Sequence, residues 1–201
     1  MRWHLPFRLP RFTRDTRGVA AVEFALLLPF MLAIYVGTSE TVMVIAADRR
    51  VVLLGATLAD ITSQSTKLKN TDLAGLVAAS SAVLAPLDTT PAKIRLSSVA
   101  IAGTGAAATA TVCWSYVQNW TAYERGKALD TTLVPANMRG QPNISYILAE
   151  VEYLHKPSIS YMLTGNFNLA TRELMRARAT QYIENTDATL SGKPSPSPGP
   201  C

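Results

Sequence analysis

Few side chains in this sequence have the types and spacing that chemistry needs. Two histidines (His4, His155) and two cysteines (Cys113, Cys201) are too few and too scattered for a zinc site. No GxxxxGK(S/T), HExxH, GxSxG or EF-hand pattern occurs. Gly103-Thr104-Gly105 precedes a strand pattern, not a helix, so it reads as a hairpin turn and not a phosphate loop. The nearest approach to an acid–base set is Glu150, Glu152 and His155. Period-two alternation turns both acids outward on one strand face and leaves His155 before Lys156-Pro157, so no catalytic triad is suggested. No catalytic residue, metal or cofactor is therefore expected. A different spacing stands out: Gly18 closes an arginine-rich leader, an apolar run follows at once, and a carboxylate, Glu23, sits five residues beyond the glycine.

The elements around that pair decide what it can do. Residues 1–17 hold Arg2, Arg8, Arg11, Arg14 and Arg17 against Asp15, a balance of 5 − 1 = +4. The other 184 residues carry 14 basic and 13 acidic side chains, or +1. The basic character belongs to the leader, not to a folded surface, which argues against a nucleic-acid partner. Val19–Ala47 follows with Glu23 and Glu40 as its only charges. These 29 residues form about 43 Å of helix, more than the ~20 residues that cross a hydrocarbon core. The uncharged run Ala25–Gly37 has signal-peptide length, but a small-x-small site directly after it is not obvious, since the sequence continues apolar. Arginines stay cytoplasmic, so the chain beyond residue 47 is expected in the periplasm.

Two readings of Glu23 stay open. It is an interfacial acid that snorkels near Arg17, or it has a partner. Cleavage after Gly18 would free the amine of Val19 and place Glu23 at mature position five, where it can meet the amine of a neighbouring subunit and offset both desolvation costs. The segment Arg17-Gly18-Val19-Ala20-Ala21-Val22-Glu23-Phe24-Ala25-Leu26-Leu27-Leu28-Pro29 resembles the N-terminal motif of the TadE-like family, minor pilins or pseudopilins of Tad (Flp) pili, which are type IV-related. The resemblance implies processing by a prepilin peptidase between Gly18 and Val19. It also implies a position-five acid (Glu23) acting in processing or assembly, beside Phe24. Implied partners are the peptidase, other minor pilins, the major pilin and the inner-membrane platform. Pro29 removes a backbone donor inside the spanning helix and should kink it.

Beyond the apolar run, Val44, Ala47, Val51, Leu54, Leu58 and Ile61 recur at spacings of 3 and 4, the mark of a helix lying on its own domain. Thr71-Asp72 offers an N-cap to a second helix that ends before Pro86. Residues 93–101, 108–118, 144–155 and 171–183 alternate as strands. In the second strand, Ala110, Val112, Trp114 and Tyr116 should share one face. In the last two strands, Glu152–Arg176 and Glu150–Arg178 fit a single antiparallel register. Residues 119–143 read as a long connection, with Trp114 and Trp120 either core or contact surface; the two Asn-x-Ser/Thr sequons there are taken as chance. The Pro/Ser tail ends in Cys201; a Cys113–Cys201 bridge, intermolecular links and free thiols all fit the sequence.

The expected fold is α+β: a long N-terminal transmembrane helix continuing into a pilin-like domain with an antiparallel sheet of about four strands. The expected divisions are a basic cytoplasmic leader (1–18), a transmembrane helix (19–47), a periplasmic domain (48–190) and a disordered tail (191–201). The expected function is that of a minor pilin anchored in the bacterial inner membrane or carried outward in the pilus. Its rivals are an uncleaved anchor for a periplasmic binding domain and, more distantly, an anchored hydrolase using Glu150 or Glu152 with His155.

Overall fold

A computed structural model describes residues 18–102, 108–130, 133–135, 144–157 and 165–187. The leader before Gly18, the Gly103–Gly105 turn and the tail with Cys201 lie outside the described residues. Helix α1 (Val19–Ser63) is one continuous element that runs through Pro29 without interruption. Its first half is exposed on every side up to Leu32, and its second half is docked. Ala47, Val51, Leu54 and Leu58 are at most 1% exposed, so the expected stripe is buried. It does not end on Ile61, which is 39% exposed; Thr62 is buried in its place. The last turn is held from the Thr62–Ser63 side, where the Arg178 amide donates to the Ser63 carbonyl at 2.8 Å. Arg178 also pairs with Asp60 at 2.8 Å.

A short strand β1 (Lys67–Leu68) leads to α2 (Asn70–Ser80) and a 3-10 turn at Ser81–Leu84. Helix α2 begins slightly before the expected cap. Asp72 reaches back to accept from the Lys69 amide at 2.9 Å, the acid half of a capping box.

Strands β2 (Ala92–Ala102), β3 (Thr109–Gln118), β4 (Ala128–Leu129), β5 (Ile144–His155) and β6 (Phe167–Arg176) form one antiparallel sheet in the order β4-β3-β2-β5-β6. Four long strands are as expected, with two-residue β4 added from the long connection. A strand β7 (Glu184–Asn185) pairs in parallel with β1. The fold is α+β, with the docked half of α1 packed across β5 and β6.

Three expectations change. β6 occupies 167–176 and not 171–183, because after Arg176 the chain turns back: the Ala177 amide donates to the Ser145 carbonyl and the Ser145 amide to the Gln181 carbonyl. The β5–β6 register pairs Glu150 with Arg172, not Arg178, and Glu152 with Ala170, not Arg176. The parity of the alternation survives this six-residue shift, so glutamates and arginines still share a face. Finally, the β2–β3 register jumps between Ser98 and Val99: Trp114 pairs with Ser98, Val112 with Val99, and Cys113 is the extra residue of a bulge. One extra residue flips everything beyond it. Trp114 and Tyr116 therefore pack with the core beneath α1, whereas Ala110 joins a second cluster with Val99, Ile101 and Tyr146 on the far face.

Candidate functional site

The motif residues all stand on the free half of α1. Gly18 caps the helix with no side-chain hydrogen bond, and a Cβ added there would meet nothing within 4 Å. Val19 is 53% and Phe24 58% exposed, and Glu23 is exposed with no partner among the described residues. Helical spacing brings Val19 and Glu23 to one face, one turn apart. Pro29 lies inside the helix without ending it. Thr38 and Thr41 fold their hydroxyls back onto the carbonyls of Ile34, Tyr35 and Gly37 at 2.8–2.9 Å, satisfying the two donors within the helix. Glu40, the second acid of the run, is 2% exposed, so it is withdrawn from the surroundings of the helix. Among the described residues this is the one helix long and apolar enough to cross a membrane.

The domain's charged chemistry lies on the opposite side of the sheet from α1. Glu150 does not face outward as expected: it is 1% exposed, held by Arg95 Nε at 2.6 Å and Arg172 Nε at 2.9 Å. The Arg95 guanidinium stacks between the rings of Trp120 (4.2 Å) and Tyr123 (3.7 Å) and donates to the Tyr123 hydroxyl at 2.6 Å. Burial, then the Glu150 charge, pushes the Tyr123 hydroxyl up from its usual value against the opposing pull of Arg95. Removing one partner from such a buried cluster costs about 3–5 kcal/mol, because it strands the other charge. The cluster ties the connection around residues 120–123 to the middle of the sheet. Strand alternation sends His155 to the α1 face with Tyr153, away from Glu150. The two cannot act as an acid–histidine pair, and the cluster has a structural role. Sequence reading missed it, because Arg95 and Glu150 become partners only when β2 pairs with β5.

Trp114 resolves to core: it is 6% exposed and donates through Nε1 to the Ile183 carbonyl at 2.8 Å. Cys113 sits at the bulge, half-buried against the core beneath α1; Cys201 lies outside the described residues.

Residues 18–54 match the family model described as TadE-like protein. The chain carries a TadE-like N-terminus. The match opens on Gly18, takes in Val19, Glu23, Phe24 and Pro29, and runs into the docked half of α1 as far as Leu54. No curated protein and no solved structure matches the chain significantly. The match covers 37 of the 201 residues, and the helix that carries it is long and apolar enough to cross a membrane.

Proposed function

We propose that this chain is a minor pilin or pseudopilin of a Tad-type pilus, cut by prepilin peptidase between Gly18 and Val19 and assembled through the free half of α1. In this reading residues 1–18 are a cytoplasmic leader, 19–47 cross the inner membrane and 48–190 form the periplasmic domain. Glu23 offsets the new amine at Val19 of a neighbouring subunit, Phe24 packs beside it, and Pro29 eases the helix out of the bilayer. The partners are the peptidase, other minor pilins, the major pilin and the inner-membrane platform. In the oxidising periplasm Cys113 and Cys201 pair, tying the tail to the sheet.

The observation that carries the reading is the coincidence of two boundaries at one bond. The TadE-like match and the apolar run both begin at Gly18–Val19, with the carboxylate one turn further on. The test is the N-terminus of the protein recovered from membranes of cells that carry the whole pilus system. The mature chain should start at Val19, and Gly18→Ala should accumulate at full length. Because a Cβ at Gly18 meets nothing, that loss would report peptidase recognition and not misfolding. A chain still starting at Met1 would make it an uncut anchor for a periplasmic domain.

A further inference from the structure

Along one flank of α1, beside the 3-10 turn Ser81–Leu84, runs an open groove lined by Val42, Ile45, Arg49, Arg50 and Leu53 of the helix and Val83 of the turn. We propose that this groove binds one anionic phospholipid, its phosphate held by Arg49 and Arg50 and an acyl chain lying along Val42 and Ile45. The inference rests on the reading of α1 as a membrane-spanning helix.

Three observations lead to it. First, Arg95, Arg172 and Arg178 each hold a carboxylate at 2.6–2.9 Å, whereas neither Arg49 nor Arg50 has an ion-pair partner among the described residues. Arg50 is half-buried all the same, and a guanidinium drawn out of water calls for an anion. Phosphate oxygens suit its planar fork of donors. Asp48 is exposed and pairs with neither, leaving 2 − 1 = +1 on this turn.

Second, the position fits a headgroup. Glu23 to Arg49 is 26 residues, about 39 Å of helix, close to the ~40–45 Å of a bilayer with its headgroups. With Glu23 at one polar layer, Arg49 and Arg50 reach the other. Val42 (64% exposed) and Ile45 (49%) then stand at acyl-chain depth, while Glu40 is buried and so withheld from the lipid. Third, two arginines directly past the span run against the usual scarcity of positive charge on the translocated side. A lipid phosphate accounts for them.

The test uses the full chain. It is first floated with vesicles of phosphatidylglycerol and phosphatidylcholine. It is then extracted in neutral detergent with equal amounts of the two lipids, and retained adducts are counted by native mass spectrometry. Phosphatidylglycerol should be retained preferentially, by about fivefold for each arginine, the worth of one basic side chain near an anionic headgroup. The preference should vanish in R49Q/R50Q and survive in R176Q, an exposed arginine elsewhere. The single variants R49Q and R50Q, each losing part of it, serve if the double variant does not fold. Equal retention of both lipids, or an unchanged preference in R49Q/R50Q, overturns the inference and leaves the membrane reading standing. Dimers that R49Q/R50Q abolishes, without bound lipid, would assign the groove to a second helix and overturn it as well. Failure to float overturns the membrane reading itself and this inference with it.

Discussion

The two halves of α1 are similar in apolar content and opposite in fate. In the first, Leu26 and Ile34 are each 67% exposed; in the second, Val51, Leu54 and Leu58 are fully buried. Charge placement separates them. Up to residue 47 the helix is apolar on nearly every side, which gives a folded domain no particular face to grip and a lipid or neighbouring helix every face. From Asp48 onward, exposed Asp48 and Arg49 break that uniform apolar surface, and the stripe through Val51, Leu54 and Leu58 is left for the sheet to cover. Hydrophobicity thus marks where the helix avoids water, and polar residues decide whether its own domain or something else provides the shelter.

Truncating matched leucines breaks or upholds this division. Leu54→Ala opens a void between α1 and the sheet and should cost the domain about 2–5 kcal/mol. Leu27→Ala, at a position 54% exposed, should leave domain stability within about 0.5 kcal/mol. Urea unfolding of the detergent-solubilised chain, followed through the fluorescence of buried Trp114, measures both. Equal losses would mean that the free half also supports the domain.

Matched glycines give a smaller contrast. A Cβ on Gly55 would lie 2.8 Å from Thr171 Cγ2, whereas one on Gly37 meets nothing within 4 Å. Overpacking of this kind costs about 1–3 kcal/mol, less the up to ~1 kcal/mol that alanine gains over glycine in a helix. Gly55→Ala should therefore be destabilising on balance, and Gly37→Ala neutral for the domain. Thr171→Ser removes the opposing methyl, so the double variant Gly55→Ala/Thr171→Ser should recover most of the loss. No recovery would place the constraint at Gly55 elsewhere than in this contact.

How much of this was legible beforehand follows the range of the interactions. Local signals held: the helix face from Val44 to Leu58, the end of the α2 segment before Pro86, and the long strands up to β5. The family motif was equally local, since Gly18, Val19, Glu23, Phe24 and Pro29 fall within one short stretch. What failed was register. The bulge at Cys113 turns Ala110 and Val112 away from the face of Trp114, and nothing in an alternating run announces an extra residue. Likewise, the placing of Glu150 against Arg172 instead of Arg178 depends on where β6 ends. That end is set by tertiary bonds from Ser145 and Ser63 to the chain after Arg176. The Arg95–Glu150 cluster was missed for the same reason: its members come from four distant segments, and their types matter only after pairing.

The mildest test returns to the sheet beneath the docked half of α1. Tyr153 is 5% exposed within that core, and burial, followed by the Asp88 charge, raises its hydroxyl above the usual tyrosine value. Tyr123 and Tyr146 are raised as well, in both cases first by burial. A raised folded-state value means that the native chain holds the proton more tightly than the unfolded chain, so stability must fall where the unfolded tyrosines ionise. Their contribution is fully present below about pH 10, the ordinary tyrosine value, and is lost as pH rises through the folded-state values. The melting temperature of the domain should decline over that window. Every group that ionises in this window contributes to the decline, so the slope alone is not diagnostic. The informative quantity is the difference between the native chain and Tyr153→Phe, which keeps the ring and removes the ionising group. Tyr153→Phe should decline less steeply above pH 10 and melt alongside the native chain near neutrality. Parallel curves throughout would show that this hydroxyl reaches water, and that the core under α1 is less dry than the burial of Leu54 and Leu58 implies.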